Sequence, residues 1–296
     1  MSYRTSGAIT HKVRRLPYRP PYDWDAILGF LALRAIPGVE LVQSNTYARS
    51  IEHDGAHGEI AVRLGARNTL QVTILFPDAR AVPAILERVA RIFDLAADPI
   101  AIDRHLSADP RLAPLVAAHP GLRVPGAWDG FELAIRAILG QQITVVAARR
   151  LAGRLVTLFG TSVRPGGTDG LTHVFPQPVH LADADLSVLG MPRSRVAALS
   201  SLAAAAVANP RLFEAGPSLS DAVSRLRALP GIGEWTAQYI AMRQLREPDA
   251  FPVADIGLMR ALEGEYGRRP TPAELLARAQ AWRPWRAYAA LHLWTS

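Results

Sequence analysis

The chain has 296 residues, 49% of them hydrophobic and 20% charged, so it can bury a substantial core and favours two or more domains. Its formal net charge of +7 indicates a polyanionic partner, although charge alone does not separate DNA from RNA or a membrane surface. The absence of cysteine excludes disulfides, zinc–cysteine sites and cysteine-ligated iron–sulfur clusters.

No apolar run is long enough to cross a bilayer, and the opening segment MSYRTSGAITHKVRR lacks the apolar stretch of a secretory signal. We therefore expect a protein of the cytoplasm with no membrane partner. Nearly all of the positive charge is arginine, because Lys12 is the only lysine. Chemistry that needs an amine nucleophile is correspondingly restricted.

The first third of the chain predicts an α+β domain. Residues 1–12 are interpreted as a flexible lead-in, and residues 13–105 as the domain. Its predicted elements are a helix over 24–35, strands over 45–52, 59–64 and 69–76, and a helix over 82–93. The strands alternate in polarity and are separated by turn residues, which indicates an antiparallel sheet packed against helices. Residues 98–105 are predicted to be a helical connector.

Residues 106–296 predict an all-α core in two lobes. Helices are predicted over 128–139, 145–159, 183–189, 194–207, 220–229, 234–245, 256–265, 272–282 and 285–294. The segment 160–178 is rich in glycine, proline and threonine, and is predicted to be a surface loop.

A helix, a short glycine-bearing turn and a second helix follow one another over residues 221–245. Pro230 stops the first helix, and Gly231 and Gly233 allow positive φ and close backbone approach. Successive N–H groups beside a helix N-terminus bind anions, and in a basic protein a nucleic-acid phosphate is the expected anion. From these residues alone, an ordinary corner between two packed helices is an equal alternative.

Several segments extend this pattern. The turn lies in LPGIGEWTA, and FPVAD follows it and ends at Asp255. Both are preceded by the segment FELAIRAILGQQITVVAARRLAGRLVTLFG. Near the C-terminal end the chain has RPWRAYAALHLW, and near the N-terminal end it has YRPPYDWDAILGFLALRAIPGVE. Together they resemble the helix-hairpin-helix DNA glycosylase superfamily, in its AlkA-type branch, the DNA-3-methyladenine glycosylase II family. The resemblance covers nearly the whole chain and implies a cleft between two helical lobes.

The resemblance identifies Asp255 as the catalytic residue. Cleavage of an N-glycosidic bond builds positive charge on the sugar, and a nearby carboxylate stabilises that charge and can orient or deprotonate water. Spacing alone favours a simpler role, because Asp255 directly precedes an apolar-periodic segment and can cap its helix. The two roles are compatible, since a cap fixes the position of the carboxylate.

The lack of lysine predicts a monofunctional enzyme. Relatives that also cut the strand use a lysine beside the hairpin to form a Schiff base, and this chain has Trp235 at the matching position. We therefore expect hydrolysis that leaves an abasic site, without lyase activity.

The resemblance also implies an aromatic base pocket formed by Trp235, Tyr239 and Trp294. A base must leave the duplex to be reached, and an alkylated purine carries positive charge that aromatic faces attract. Plain core packing is the alternative for each ring, especially for Trp235 and Tyr239, which lie four positions apart on one helix.

The same resemblance implies three features of DNA binding. Gln141 and Gln142 lie in a turn that approaches the minor groove, where Gln142 stands in the place of an apolar wedge. Gly231, Ile232 and Gly233 form the phosphate-binding hairpin, whose carbonyls can hold a monovalent cation. Six arginines are candidates for backbone contact, although a solvated face is favoured for most of them: Arg136, Arg149, Arg150, Arg154, Arg243 and Arg260.

The sequence therefore predicts a monomeric, monofunctional DNA glycosylase that excises alkylated purines of the 3-methyladenine type from damaged double-stranded DNA and starts base-excision repair. No metal or other cofactor is expected. The alternatives are a glycosylase for oxidised or deaminated bases and a non-catalytic helix-hairpin-helix DNA-binding protein. An aromatic pocket argues against the first, and Asp255 together with that pocket argues against the second.

Overall fold

The computed structural model of the chain describes residues 10–163 and 167–295, and it contains an antiparallel sheet domain followed by a helical core. In the first domain the strands are β1 (Thr10–Pro17), β2 (Glu40–Gln43), β3 (Thr46–His53), β4 (Ala56–Leu64) and β5 (Thr69–Phe76), and the helices are α1 (Trp24–Arg34), α2 (Val82–Ile92) and α3 (Pro99–Leu106). The sheet order is β1-β5-β4-β3-β2, with every neighbouring pair antiparallel. The predicted α+β fold class is confirmed.

The predicted lead-in is too long. Residues 1–9 lie outside the described residues, but β1 begins at Thr10 and pairs with β5 from Thr10↔Phe76 to Pro17↔Thr69. The strand was not predicted because most of its described side chains are solvent-exposed, with only Lys12 and Leu16 half-buried, so it shows no buried apolar face. Its stability comes from a ladder with a strand that lies far away in sequence.

The second part of the chain is helical, as predicted. Its helices are α4 (Ala113–Ala118), α5 (Gly130–Leu139), α6 (Val145–Phe159), α7 (Pro178–Ala182), α8 (Arg193–Ala208), α9 (Leu219–Arg227), α10 (Glu234–Arg243), α11 (Ile256–Ala261), α12 (Glu263–Tyr266), α13 (Pro272–Ala279) and α14 (Arg286–Thr295).

Some local predictions in this part were wrong. The helix predicted over 183–189 is a single 3₁₀ turn, Leu186–Leu189. The loop predicted over 160–178 contains a short hairpin of β6 (Thr161–Ser162) and β7 (His173–Val174). Its Val174 and Phe175 are buried against the protein, so this segment is not wholly a surface loop. Residues 164–166 of the segment lie outside the described residues.

Two hydrophobic cores lie on either side of a buried ionic cluster. One core lies between the sheet, α1 and α2, and the other fills the helical part. Ile102 and Leu106 of α3 pack in the helical core. The predicted domain boundary between residues 105 and 106 remains a proposal.

The ionic cluster consists of Glu40, Arg49, Glu132 and Arg136. Arg49 pairs with Glu132 at 2.7 Å, and Arg136 pairs with Glu40 at 2.7 Å and with Glu132 at 2.9 Å. Since Glu40 and Arg49 lie on β2 and β3 while the other two lie on α5, the cluster ties the sheet to the helical core. Among the described residues, no helix is both long enough and apolar enough to traverse a bilayer.

Acid is expected to destabilise the fold partly through His292 on α14. Burial, with a smaller effect of His119, lowers the pKa of His292 to about 4, although Asp23 opposes the shift. The unfolded pKa is near 6.5, so the stability of the neutral folded form is complete above pH 6.5 and falls as the pH drops towards 4. Urea unfolding at pH 7.5 and pH 4.5 should reveal a loss of about 2–3 kcal/mol that His292→Leu removes.

His11→Leu is the control, because His11 is exposed on β1. This variant should keep the wild-type difference between the two pH values. An unchanged difference in His292→Leu as well would contradict the assignment to His292.

Candidate active site

A cleft of about 370 Å³ opens between helices of the core. Apolar side chains of α5 and α6, such as Leu133 and Ala152, form part of its wall. The remaining wall carries the three predicted aromatic residues, four arginines and Asp255. Asp255 is the only carboxylate among the described residues that line the cleft.

Helix α10 presents one face to the cleft. Trp235, Tyr239 and Arg243 follow at intervals of four residues, so they lie one above another along the helix. The Trp235 and Tyr239 rings stack at a centroid distance of 5.1 Å, and Trp294 of α14 meets Tyr239 edge-on at 6.5 Å. The structure thus brings together all three residues of the predicted base pocket.

Asp255 is held by three hydrogen bonds. Its Oδ1 accepts the backbone N–H of Leu258 at 2.9 Å, which makes Asp255 the N-cap of α11. Oδ1 also accepts the indole N–H of Trp294 at 2.9 Å, and Oδ2 accepts that of Trp235 at 2.7 Å. The capping position and the position in the aromatic cleft therefore coexist in one carboxylate.

Gly257 permits this close packing, and sequence reasoning missed it. A Cβ atom at this position would lie 2.9 Å from Oδ1 of Asp255 and 3.2 Å from Trp294. Any larger residue would push the carboxylate or the indole away. The signal is tertiary, because Trp294 comes from a different helix.

Two arginines surround the hydroxyl of Tyr239 at the other end of the α10 face. Arg243 donates to this hydroxyl at 2.6 Å, and Arg34 of α1 also interacts with it. Burial alone would raise the pKa of Tyr239, but the charges of Arg243 and Arg34 outweigh it and lower the pKa below its ordinary value. Burial lowers the pKa of Arg34. Sequence reasoning missed Arg34 because it belongs to the N-terminal domain.

The arginine candidates for DNA contact differ in how far the protein itself already engages their side chains. Arg243 is buried and donates to the carbonyls of Pro125 and Gly126, and Arg136 belongs to the ionic cluster. Neither is available to DNA phosphate, which corrects those two predictions. Arg154 donates to the Val188 carbonyl at 2.6 Å. Arg149 lines the cleft, and Arg150 and Arg260 are exposed.

The hairpin joins α9 to α10 and has the predicted outline. Gly231 has φ +80°, and a Cβ there would lie 2.4 Å from Cβ of Ala198. Gly233 has φ −83° and N-caps α10, so of the two glycines only Gly231 uses the positive φ that glycine allows. Ile232 is buried, and its N–H already donates to the Leu229 carbonyl at 3.1 Å. In the described structure the N–H groups of Gly231 and Gly233 have no acceptor.

Two polar residues complete the surface around the hairpin. Gln141 donates to the Gly231 carbonyl at 2.8 Å, which ties the α5–α6 turn to the hairpin. Gln142 is exposed in the left-handed region with φ +59°. The carboxylate of Glu234 is held by Arg227 at 3.0 Å, which offsets its charge beside the proposed anion site.

We expect Gly231→Ala to destabilise the fold by roughly 3 kcal/mol, because a left-handed alanine and the collision with Ala198 add together. Gly233→Ala should cost less than about 1 kcal/mol, since its backbone is unstrained and no atom lies within 4 Å of the added Cβ. Urea unfolding of the two variants measures both effects. Equal losses would refute this account of the turn.

Both parts of the chain match known protein families. Residues 13–129 match the AlkA N-terminal domain, and residues 135–287 match the HhH-GPD superfamily base excision DNA repair protein. Among the described residues, no group of three or more His, Asp and Glu side chains is arranged to hold a metal ion.

Curated relatives and a solved structure agree with this assignment. DNA-3-methyladenine glycosylase 2 of Escherichia coli K12 is 37% identical, over 94% of this chain and 95% of the relative. A probable bifunctional transcriptional activator/DNA repair enzyme AlkA of Mycobacterium tuberculosis H37Rv is 38% identical over 95% of this chain, which spans 56% of that relative's length. The 3-methyladenine DNA-glycosylase of Archaeoglobus fulgidus has the same fold, with a TM-score of 0.83 at 24% identity over 95% of this chain and 97% of that one. The chain therefore belongs to the HhH-GPD superfamily of base excision DNA repair proteins, in the group that carries an AlkA N-terminal domain.

Proposed function

We propose that the protein is a monofunctional DNA glycosylase that hydrolyses alkylated purines of the 3-methyladenine type out of double-stranded DNA. It acts as a monomer in the cytoplasm, on the nucleoid, and starts base-excision repair by leaving an abasic site. The main support is the convergence of one carboxylate and three aromatic rings in a cleft that can hold a flipped base.

Asp255 stabilises the positive charge that develops on the sugar as the glycosidic bond breaks. A preorganised charge is effective because it needs no rearrangement during the reaction. Both of its oxygens already accept hydrogen bonds from Trp235, Trp294 and Leu258. A carboxylate held by three donors suits the role of a fixed anion better than that of a strong base.

The stacked rings of Trp235 and Tyr239, with Trp294 edge-on, recognise the base. A ring that carries alkyl-induced positive charge gains roughly 0.5–2 kcal/mol from aromatic faces in a desolvated site. An alkylated purine also has a weakened glycosidic bond, so binding and leaving-group reactivity select the same bases.

Hydrolysis without strand cleavage follows from the position of the only lysine. Lys12 lies on β1 of the sheet domain and is not among the cleft-lining residues. Trp235 takes the place next to the hairpin where a Schiff-base lysine would be required. We expect an intact strand with an abasic site as the product.

DNA is held at two places around the cleft. The free N–H groups of Gly231 and Gly233, at the start of α10, bind a backbone phosphate. Gln142, whose side chain is exposed, enters the space that the flipped base vacates and meets its former partner by hydrogen bonding.

The hairpin carbonyls can also coordinate a monovalent cation. The carbonyls of Leu229 and Gly231 each accept one hydrogen bond, and each keeps a second lone pair. These two carbonyls would hold the ion, and its positive charge would add to the attraction for a phosphate. DNA affinity that is higher in potassium than in tetramethylammonium at equal ionic strength would support this site, and equal affinity would remove it.

The decisive test is base release from methylated duplex DNA by the wild-type protein. Release of 3-methyladenine, with strand cleavage only after alkali, is the expected result. Release of oxidised or deaminated bases without alkylated ones would favour the alternative glycosylase. Tight DNA binding with no base release from any of these substrates would leave a non-catalytic DNA-binding protein.

A further inference from the structure

Four arginines line the described cleft, and the protein itself provides partners for three of them. Arg136 belongs to the ionic cluster, and Arg243 donates to two backbone carbonyls and to the Tyr239 hydroxyl. Arg34 donates to the Phe30 carbonyl at 3.4 Å, and its guanidinium carbon lies 3.7 Å from the centroid of the Phe30 ring. These three side chains are held in place before any ligand binds.

Arg149 is the fourth cleft arginine, and it has no partner within residues 10–163 and 167–295. Its side chain is half-buried, and its Nε is fully buried without an acceptor. Asp255, whose oxygens accept three other hydrogen bonds, does not pair with it. An arginine has five N–H donors and keeps its charge at any ordinary pH. A guanidinium placed in this way needs an anion from outside the protein.

The position of Arg149 on α6 indicates where that anion lies. Val145, Ala148 and Ala152 line the cleft with it, at spacings of three and four residues that place them on one helix face. Val145 begins α6 directly after the turn that carries Gln142. Side chains of an α-helix lean towards its N-terminus, so that of Arg149 leans towards Val145, about 6 Å away along the axis. This is the end of the cleft at which DNA is proposed to lie.

The charge of the proposed substrate decides which anion Arg149 meets. An alkylated purine is itself cationic, so an unpaired guanidinium would repel it. The nearest anions of the DNA are the two phosphates that flank the flipped nucleotide. Flipping rotates the nucleotide about its backbone, which draws these phosphates towards the mouth of the cleft. The planar fork of a guanidinium matches two phosphate oxygens.

Resting on the proposed glycosylase function, we propose that Arg149 forms a second phosphate-binding subsite, which holds a phosphate beside the flipped nucleotide. It differs from the hairpin, where Gly231 and Gly233 offer backbone N–H groups at the start of α10. Since the phosphate reaches Arg149 only when the nucleotide enters the cleft, the contact stabilises the flipped state. Intact duplex DNA does not use it.

The test compares affinity for an intact duplex with affinity for the same duplex carrying a tetrahydrofuran abasic-site analogue. We expect Arg149→Met to weaken binding of the analogue duplex about 10- to 100-fold, as the loss of a charge-assisted pair does, and to leave intact-duplex binding near the wild-type value. For the analogue duplex, the slope of log affinity against log salt concentration should become shallower by about 0.9. The free energy of unfolding should stay unchanged, because Arg149 has no protein partner.

Uncharged methylphosphonate linkages, placed one at a time on each side of the analogue, identify the phosphate. In the wild type, the linkage that Arg149 contacts should weaken binding by a factor similar to that of Arg149→Met. In the variant, the same linkage should cost less than about twofold, because the interaction is already absent. Arg149→Lys keeps the charge but not the planar fork, so it should retain part of the affinity.

Arg150→Met is the matched control, because Arg150 follows Arg149 on α6 but is exposed and does not line the cleft. This variant removes the same charge from the same helix. It should keep the wild-type ratio of the two affinities, even where binding of both duplexes weakens.

Equal losses of Arg149→Met on both duplexes would overturn the subsite, because Arg149 would then contact duplex DNA in general. Full additivity of the variant with every flanking methylphosphonate would overturn it as well. Release of 3-methyladenine by the wild type, measured in parallel, tests the glycosylase function separately, since the affinities involve no chemical step. The expected affinities without any base release would refute that function and leave the phosphate contact standing.

Discussion

Asp255→Asn should lower the rate of base release by about 10³-fold, because a preorganised electrostatic group in an active site is typically worth 10²–10³-fold and no second carboxylate lines the described cleft. The substitution keeps the shape of the side chain and removes its charge. Single-turnover release of 3-methyladenine from methylated DNA measures the effect. Affinity for DNA containing an abasic-site analogue should stay near that of the wild type.

The hydrogen bonds of Asp255 provide a control for structural damage. An asparagine can keep its oxygen on Leu258 and Trp294, but its amide nitrogen then faces the indole N–H of Trp235, a donor against a donor. Asp255→Asn should therefore lose some stability as well. Adding Trp235→Phe removes the opposing donor and should restore stability. Because Trp235 also belongs to the base pocket, the activity of the double variant is compared with that of Trp235→Phe alone, which keeps Asp255, and should stay far below it. Equal activities of these two variants would show that the single substitution Asp255→Asn acted through the fold.

The sequence predicted the elements whose signals are local. Helix α6 was predicted with its observed bounds, Val145–Phe159, because Thr144 caps one end and Gly160 follows the other. The Asp255 cap and the spacing of Trp235 and Tyr239 were likewise readable from short segments. The residues of β1 and β2 carry no comparable signal, because both are edge strands whose partners are chosen by the folded sheet.

The missed parts of the site have the same physical origin. Arg34, Gly257 and the burial of Arg243 matter only after three distant segments meet around the cleft. A surface position is the reasonable expectation for an arginine with no visible partner. In this fold Arg243 is buried because backbone carbonyls and the Tyr239 hydroxyl satisfy it. Such partners are invisible to any inference from spacing or composition.

Glu40→Ala should be the most damaging change to the fold, with an expected loss of about 3–5 kcal/mol in the free energy of unfolding. Burial alone would raise the pKa of Glu40, but Arg136 and Arg49 outweigh it and hold the pKa below its ordinary value, so the group is charged at neutral pH. Its oxygens also accept the Tyr47 hydroxyl at 2.8 Å and the Ile36 N–H at 3.0 Å. Without the carboxylate, the two arginines lose part of their counter-charge, and the Tyr47 hydroxyl and the Ile36 N–H lose their buried acceptor.

Glu214→Ala is the matched control, because Glu214 also pairs with an arginine but both side chains are mostly exposed. It should cost less than about 1 kcal/mol, as exposed ion pairs usually do. Urea unfolding compares the two variants at neutral pH. Equal small losses would show that the ionic cluster does not hold the sheet to the helical core. A large loss of stability in Glu40→Ala alone would also explain how the cleft keeps its shape. Glu40 forms an ion pair with Arg136, and Arg136 in turn donates to the Arg34 carbonyl at the end of α1.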